Sequence, residues 1–318
     1  MKARVRCRFS ARITRPWSAC GRRDLVSAWQ RRRAAASGQV GRLRLAFVST
    51  IGFERLPEWV RDFRVLCPQV ALAENAAQLT GVMLSVLPDS FSLRGMLQDP
   101  RHNALLLGPG LGLPRARDMV PAALSGARAT VLDADALTAF EEDPDLLFRQ
   151  LHGACVLTPH RGEFARLFPD LAQQLGDADG EGDPVGGTDP DSVPRATCDA
   201  VMAAAQRAGC TVLLKGAQTL IASPAQGGAG AEIALHSALG PRAAPWLATA
   251  GAGDVLAGLI VGLMARGFAP QQAAELGAWL HVEAARHFGP GLIAEDLPEQ
   301  IPAVLRQIFA QDSEGERP

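Results

Sequence analysis

Lysine is nearly absent from this 318-residue chain. It occurs only at positions 2 and 215, although Lys and Arg together number 32. A lysine in so arginine-rich a chain marks a place that calls for a compact ammonium rather than a guanidinium fork. Long apolar runs are also missing. No stretch of eighteen residues is wholly apolar, and the most apolar helix-like segment, Val255 to Met264, is too short to span a bilayer. The six cysteines (Cys7, Cys20, Cys67, Cys155, Cys198, Cys210) form no CxxC pair, which argues against a disulfide scaffold or a zinc site and for a reducing, cytoplasmic setting. With 47% hydrophobic and 20% charged residues, the chain has enough apolar material for one large core or two modest ones.

Charge is scarce overall but unevenly placed. Residues 1–44 hold thirteen Lys and Arg against one acid, Asp24, and the remainder of the chain is acidic. That front segment has no apolar core of about 7–15 residues, so it does not read as a secretory signal. No aromatic interleaving accompanies its charge, so nucleic-acid binding is not expected. Residues 1–70 read as an atypical basic leader: disordered, a targeting segment, or a stretch translated out of frame.

From about residue 70 the texture changes. Asn103–Gly108, Ala129–Leu132, Ala154–Thr158 and Thr211–Leu214 are short apolar runs that read as buried strands. Helical patterns lie between and after them, over 114–125, 135–143, 162–168, 195–209, 252–266, 270–288 and 298–310. The alternation predicts an α/β fold with a largely parallel central sheet and helices on both faces, its ligands at the carboxyl ends of the strands. Residues 169–194, rich in Gly, Asp and Pro, are expected to form a long, mobile acidic loop.

Five clusters carry polar chemistry. Ala248-Thr249-Ala250-Gly251-Ala252-Gly253-Asp254 runs directly into an apolar helix, so the N–H groups of residues 251–254 are expected to make an anion hole at its mouth. An aspartate there repels phosphate but suits a base that takes the proton of an attacking hydroxyl. Its bland alternative is a helix-capping acid. Lys215-Gly216-Ala217-Gln218-Thr219 follows a strand, where it would offer backbone amides and a hydroxyl to a nucleotide, or form a hairpin with an exposed lysine. Thr158-Pro159-His160-Arg161-Gly162-Glu163 opens a helix. Its Glu163 would orient water or a cation, or serve only as a first-turn acid. Gly108-Pro109-Gly110-Leu111-Gly112 is a loop where substrate can touch backbone. Asp133 and Asp135 end another strand, where they would act through water on a metal or phosphate, or cap a helix. The remaining histidines have no metal-ligand spacing, and no direct metal ligand is assigned.

Taken in order, GPGLG, LDADALT, LTPHRGEF, LLKGAQT and ATAGAGDVLAG resemble the carbohydrate-kinase-like domain of the NAD(P)H-hydrate dehydratases, a ribokinase-fold family. The tail WLHVEAARHFGPGLIAEDLP is similar to that family's C-terminal helix pair and turn. The likeness spans about residues 75–310, and it implies a ribokinase-like domain over 71–312. It also implies a reaction in which ADP, or ATP, phosphorylates the ring hydroxyl of hydrated NADH or NADPH and phosphate then leaves. On that resemblance Asp254 is the base and Gly251, Ala252 and Gly253 hold the phosphoryl group. Lys215, Gly216, Ala217, Gln218, Thr219 and Gly253 contact the nucleotide. Gly110, Gly112, His160 and Asp254 meet the hydrated dinucleotide, and Glu163, Asp133 and Asp135 form a metal and water network. Mg²⁺ is the expected companion, an epimerase on a separate chain the expected partner, and a homo-oligomer the expected assembly. Other readings are a small-alcohol (vitamin-precursor) kinase of the same fold and a nucleotide-binding remnant without turnover. The second is suggested by residues 1–70, which show neither the glycine-rich opening nor the RAGAGLV-like segment usual in the family.

Overall fold

The computed structural model describes residues 85–175, 193–225 and 231–315. The basic segment 1–70 and the expected boundary at its end lie outside the described residues. A short helix, α1 (Ser90–Met96), capped by the Asp89 carboxylate, precedes the first strand. Then follow β1 (Ala104–Leu107), α2 (Leu113–Leu124), β2 (Ala129–Leu132), α3 (Asp135–Thr138), α4 (Pro144–Phe148) and β3 (Cys155–Leu157). Next come α5 (Arg161–Leu167), α6 (Pro169–Ala172), α7 (Arg195–Ala208), β4 (Thr211–Leu214), β5 (Gln218–Ser223) and β6 (Glu232–Ser237). After two 3₁₀ turns, three helices close the chain: α8 (Ala252–Ala265), α9 (Pro270–Phe288) and α10 (Asp296–Gly315).

Among the described residues the strands form one sheet in the order β1-β2-β3-β4-β5-β6. The first four are parallel, while β4–β5 and β5–β6 are antiparallel. Side-chain alternation divides the core in two. Leu132, Leu157, Val212 and Leu214 face one way, onto α2 and α7. Their neighbours Val131, Val156 and Leu213 face the other, onto α8 and α9 through Leu256, Ala257, Ile260 and Ala274. Burial on both faces favours apolar residues, with Thr130 and Thr211 the buried polar exceptions, which is why these four runs were legible as nearly continuous apolar stretches.

Two expectations need correction. Residues 135–143 are not one helix: α3 ends at Thr138, and turns follow before α4 starts at Pro144. Residues 169–175 are not loop either. They form α6 and a turn, Leu171 and Leu175 enter the core, and Asp170 pairs with Arg207 at 2.6 Å. The rest of that acidic stretch, 176–192, lies outside the described residues.

Candidate active site

Four strand ends meet at one edge of the sheet. At the end of β1, Gly108 has φ +134°, and a Cβ there would lie 1.6 Å from the carbonyl oxygen of Asp133. Only glycine lets the two loops approach that closely. The same pair of loops is tied again by Gly112, whose N–H donates to Asp135 Oδ2 at 2.8 Å. Gly110 lies between, on the exposed surface of the loop.

Asp133 itself is 1% exposed. Its Oδ1 accepts from the Ala134 N–H at 2.9 Å and from Lys215 Nζ at 2.6 Å, and its Oδ2 has no hydrogen-bond partner among the described residues. Across β3, His160 caps α5. Its Nδ1 accepts from the N–H groups of Gly162 (3.0 Å) and Glu163 (3.3 Å), while Glu163 Oε2 accepts from the His160 N–H (2.8 Å). This reciprocal capping box engages Nδ1 of the half-exposed His160 ring, and its Nε2 lies 3.5 Å from Glu163 Oε1. The expected cation-orienting glutamate is thus also a cap, and its Oε2 stands 3.8 Å from Lys215 Nζ.

Lys215 sits at the turn between β4 and β5, its N–H bonded to the Pro159 carbonyl at 2.8 Å. The hairpin is real, but the lysine is not exposed on it. Its side chain lies inward between two carboxylates. Nor does the turn offer a hydroxyl outward: buried Thr219 donates from Oγ1 to the Gly216 carbonyl at 3.0 Å, bracing the turn, and the Ala217 carbonyl accepts from the Ala238 N–H at 2.7 Å. Gln218 begins β5 opposite Ser237.

The fifth component arrives from the far side of the sheet. Gly251, with φ +84°, caps α8 in the left-handed region. Of the four N–H groups expected to be free there, two are engaged: Ala252 donates to Thr249 (3.3 Å) and Asp254 to Gly251 (3.1 Å). The opening turn is wound tightly enough to consume them. Those of Gly251 and Gly253 have no acceptor among the described residues. A Cβ on Gly253 would be 3.5 Å from Lys215 Nζ, which sets the ammonium beside the helix mouth. Asp254 reaches solvent, yet partial burial, followed by the negative charge of Asp133, raises its pKa above the usual carboxylate value. Lys215 opposes that rise, and Glu163 and Asp135 add to it.

The fold therefore gathers Asp133, Glu163, Lys215, Gly253 and Asp254, with His160, Asp135 and the Gly110–Gly112 loop around them. Thr219 and Ala217 serve the turn itself. Among the described residues no group of three His, Cys, Asp or Glu side chains is arranged to hold a metal directly. Sequence reasoning missed two buried histidines, His236 and His281. They lie on separate elements, β6 and α9, with nothing in their spacing to pair them.

The model of the NAD(P)H-hydrate dehydratase family matches residues 62–303. This chain belongs to that family. Its dehydratase relatives include the bifunctional NAD(P)H-hydrate repair enzyme Nnr of Gloeobacter violaceus, 34% identical over 83% of this chain and 44% of its own length. Nnr of Moorella thermoacetica is 37% identical over 65% of this chain and 35% of its own. The chain thus spans less than half the length of these relatives. Its fold is that of a Bacillus subtilis ADP/ATP-dependent NAD(P)H-hydrate dehydratase co-crystallised with ATP/Mg²⁺, 20% identical with a TM-score of 0.52 over 75% of this chain and 76% of that one. A ribokinase-like superfamily protein of Enterococcus faecalis, 18% identical, matches with a TM-score of 0.52 over 74% of this chain and 73% of its own. The ribokinase-like architecture follows from these likenesses.

Proposed function

We propose that this chain restores NADH and NADPH from their hydrates, using ADP or ATP as phosphoryl donor. One observation carries the reading: a carboxylate of raised proton affinity, a helix mouth with an open N–H, and a lone ammonium share one point. A base beside an anion site suits phosphoryl transfer, where positioning and charge stabilisation supply most of the acceleration. Family membership supports the choice of hydrate over other alcohols.

In this reading Asp254 accepts the proton of the ring hydroxyl as its oxygen attacks the terminal phosphorus. The bond from that phosphorus to the bridging oxygen breaks, so ADP becomes AMP, or ATP becomes ADP. The open N–H groups of Gly251 and Gly253, with Ala252 too small to obstruct them, hold the transferred group. Lys215 offsets charge that develops on it, and Gly216 to Thr219 shape the turn that borders the nucleotide. The phosphate then leaves with the C–O electron pair, a ring proton departs, and the dihydropyridine is regenerated. Gly110, Gly112 and the half-exposed His160 ring border the dinucleotide.

Mg²⁺ fits this set in a limited way. Asp133 and Glu163 are already bound to Lys215 and to the His160 cap, but Asp133 Oδ2 keeps a buried, unpartnered lone pair. Magnesium retains several waters and takes one or two carboxylates plus phosphate oxygens. Asp133, Glu163 and Asp135 would therefore hold it through water, where it neutralises phosphate charge. The companion epimerase is proposed to lie outside the matched region 62–303. We place this chain in the cytoplasm as a homo-oligomer; the buried thiols of Cys155 and Cys210 fit a reducing compartment.

The test is purified protein with hydrated NADH and either ADP or ATP, following dihydronicotinamide absorbance and phosphate release. Recovery of absorbance with stoichiometric free phosphate supports the reading. A stable phosphorylated alcohol from another substrate would favour the kinase, and nucleotide binding with no turnover would favour the remnant.

A further inference from the structure

Between β6 and α8 the chain runs from Ala238 to Ala248 with a single charged side chain, Arg242, among Ala, Leu, Gly, Pro and Trp residues. This segment is a strap between two parts of the site. At its start the Ala238 N–H donates to the Ala217 carbonyl of the lysine turn at 2.7 Å. At its end it passes through the 3₁₀ turn Pro245–Leu247 to Thr249, whose carbonyl accepts from Ala252, the first residue of α8. In between it closes on itself: the N–H groups of Arg242, Ala243 and Ala244 donate to the carbonyls of Leu239, Gly240 and Ala238. Its two ends thus bear on the Lys215 turn and on the open N–H groups of Gly251 and Gly253.

A carboxylate on α9 holds the middle of the strap. Glu283 Oε1 accepts from Arg242 Nη2 at 2.7 Å and from Arg286 Nη1 at 2.9 Å, and Oε2 accepts from Arg286 Nη1 at 3.2 Å. Arg286 in turn donates from Nη2 to the Pro241 carbonyl at 3.3 Å. Both arginines therefore reach the strap, one as its own side chain and one onto its backbone, and Glu283 joins them. An ion pair in open solvent contributes little. Here the Arg242 and Glu283 side chains are only 17% and 22% exposed, and charge-assisted hydrogen bonds gain strength as water is withdrawn. The strap's other anchor is apolar: Ala244 belongs to the buried cluster of Ala252, Val282, Ala285 and Leu292. Apolar contact is non-directional, whereas a guanidinium fork on a carboxylate fixes direction as well as distance.

We infer that Glu283 is a positioning residue: through Arg242 and Arg286 it holds residues 238–248 in the place from which the lysine turn and the α8 mouth together receive the nucleotide. The nucleotide part rests on the function proposed above; the clamp itself does not. A loop fixed before its ligand arrives spares the complex the entropy of ordering it. Loss of the clamp weakens nucleotide binding and leaves the chemistry of the bound complex nearly intact.

Four full-length proteins test this: wild type, Glu283→Gln, Arg242→Met and the double variant. The measurements are the ADP Kd by calorimetry, kcat and KM for ADP with hydrated NADH, and hydrogen exchange of peptides covering 238–248 without nucleotide. Glu283→Gln should raise Kd and KM for ADP about tenfold and lower kcat at saturating ADP less than about threefold, while exchange over 238–248 quickens. Arg242→Met should move the same readouts in the same direction. The double variant should match Glu283→Gln within about twofold, because both changes break one contact. Unchanged ADP affinity in folded Glu283→Gln protein overturns the assignment even if exchange quickens, since the tie is then structural only. Weakened affinity with unmoved exchange overturns it too, as do losses that multiply in the double variant. Should Glu283→Gln fail to fold, Arg242→Met decides on affinity and exchange together. If wild type binds ADP but does not turn over the hydrate, the dehydratase reading fails, and affinity with exchange still judges Glu283. If wild type binds neither ADP nor ATP, the assignment of Glu283 falls.

Discussion

Lys215 Nζ lies 2.6 Å from Asp133 Oδ1, and the aspartate is 1% exposed. Removing one member of such a buried pair strands the other charge in the core, typically at a cost of about 3–5 kcal/mol. Lys215→Met should therefore lower the thermal midpoint by many degrees as well as abolish turnover. Adding Asp133→Asn to it should recover a good part of the midpoint but none of the activity. A single variant as stable as wild type would show that the pair is not the buried contact described.

Asp254→Asn keeps the shape of the helix mouth and removes its base. Turnover should fall by several orders of magnitude while ADP affinity, read by calorimetry, stays nearly unchanged. In wild type the acid limb of the kcat/KM profile should lie above the ordinary carboxylate value, because burial and Asp133 raise the Asp254 pKa and the base acts only when ionised. Near-normal turnover in the asparagine variant would remove Asp254 from the mechanism.

The buried histidines predict an acid weakness. Their folded pKa values, about 4 for His281 and about 3 for His236, lie below the ordinary 6.5, so the unfolded chain binds their protons more readily. Stability from both rings is complete above pH 6.5 and drains away as pH falls toward 4, by on the order of a few kcal/mol in total. Denaturant melts between pH 7 and pH 4 should show that slope, and His281→Leu should flatten it. An equal slope in the variant would place the acid sensitivity elsewhere.

Gly108→Ala should be among the most damaging single-methyl additions in the chain. The new Cβ meets the Asp133 backbone at 1.6 Å, where nothing flexible can yield. Gly112→Ala, with φ +79° but open space around it, should cost only about 2 kcal/mol of backbone strain. Comparing soluble yield and thermal midpoint of the two separates steric exclusion from conformational strain.

Much of this was legible in the residues. Strands β2 and β4 were readable to the residue because burial on both faces leaves them largely apolar, with only Thr130 and Thr211 polar. The site clusters were visible because they fall where apolar runs stop. Strand β6 was not: Glu232–Ser237 is largely half-buried at the sheet edge, with a glutamate and a histidine in it, so no apolar run betrays it. The Ala252 and Asp254 N–H groups also escaped prediction, since sequence shows where a helix begins but not how tightly its first turn is wound.

Lys215 is the sole lysine beyond the second residue of the chain. Acylating reagents that seek amines consequently find one target within the folded domain, and it stands at the place where chemistry is proposed to occur. The molecule thus carries a built-in reporter: the rate at which that amine is modified measures how firmly its two carboxylate neighbours hold it, and protection by added nucleotide would register occupancy without any engineered label.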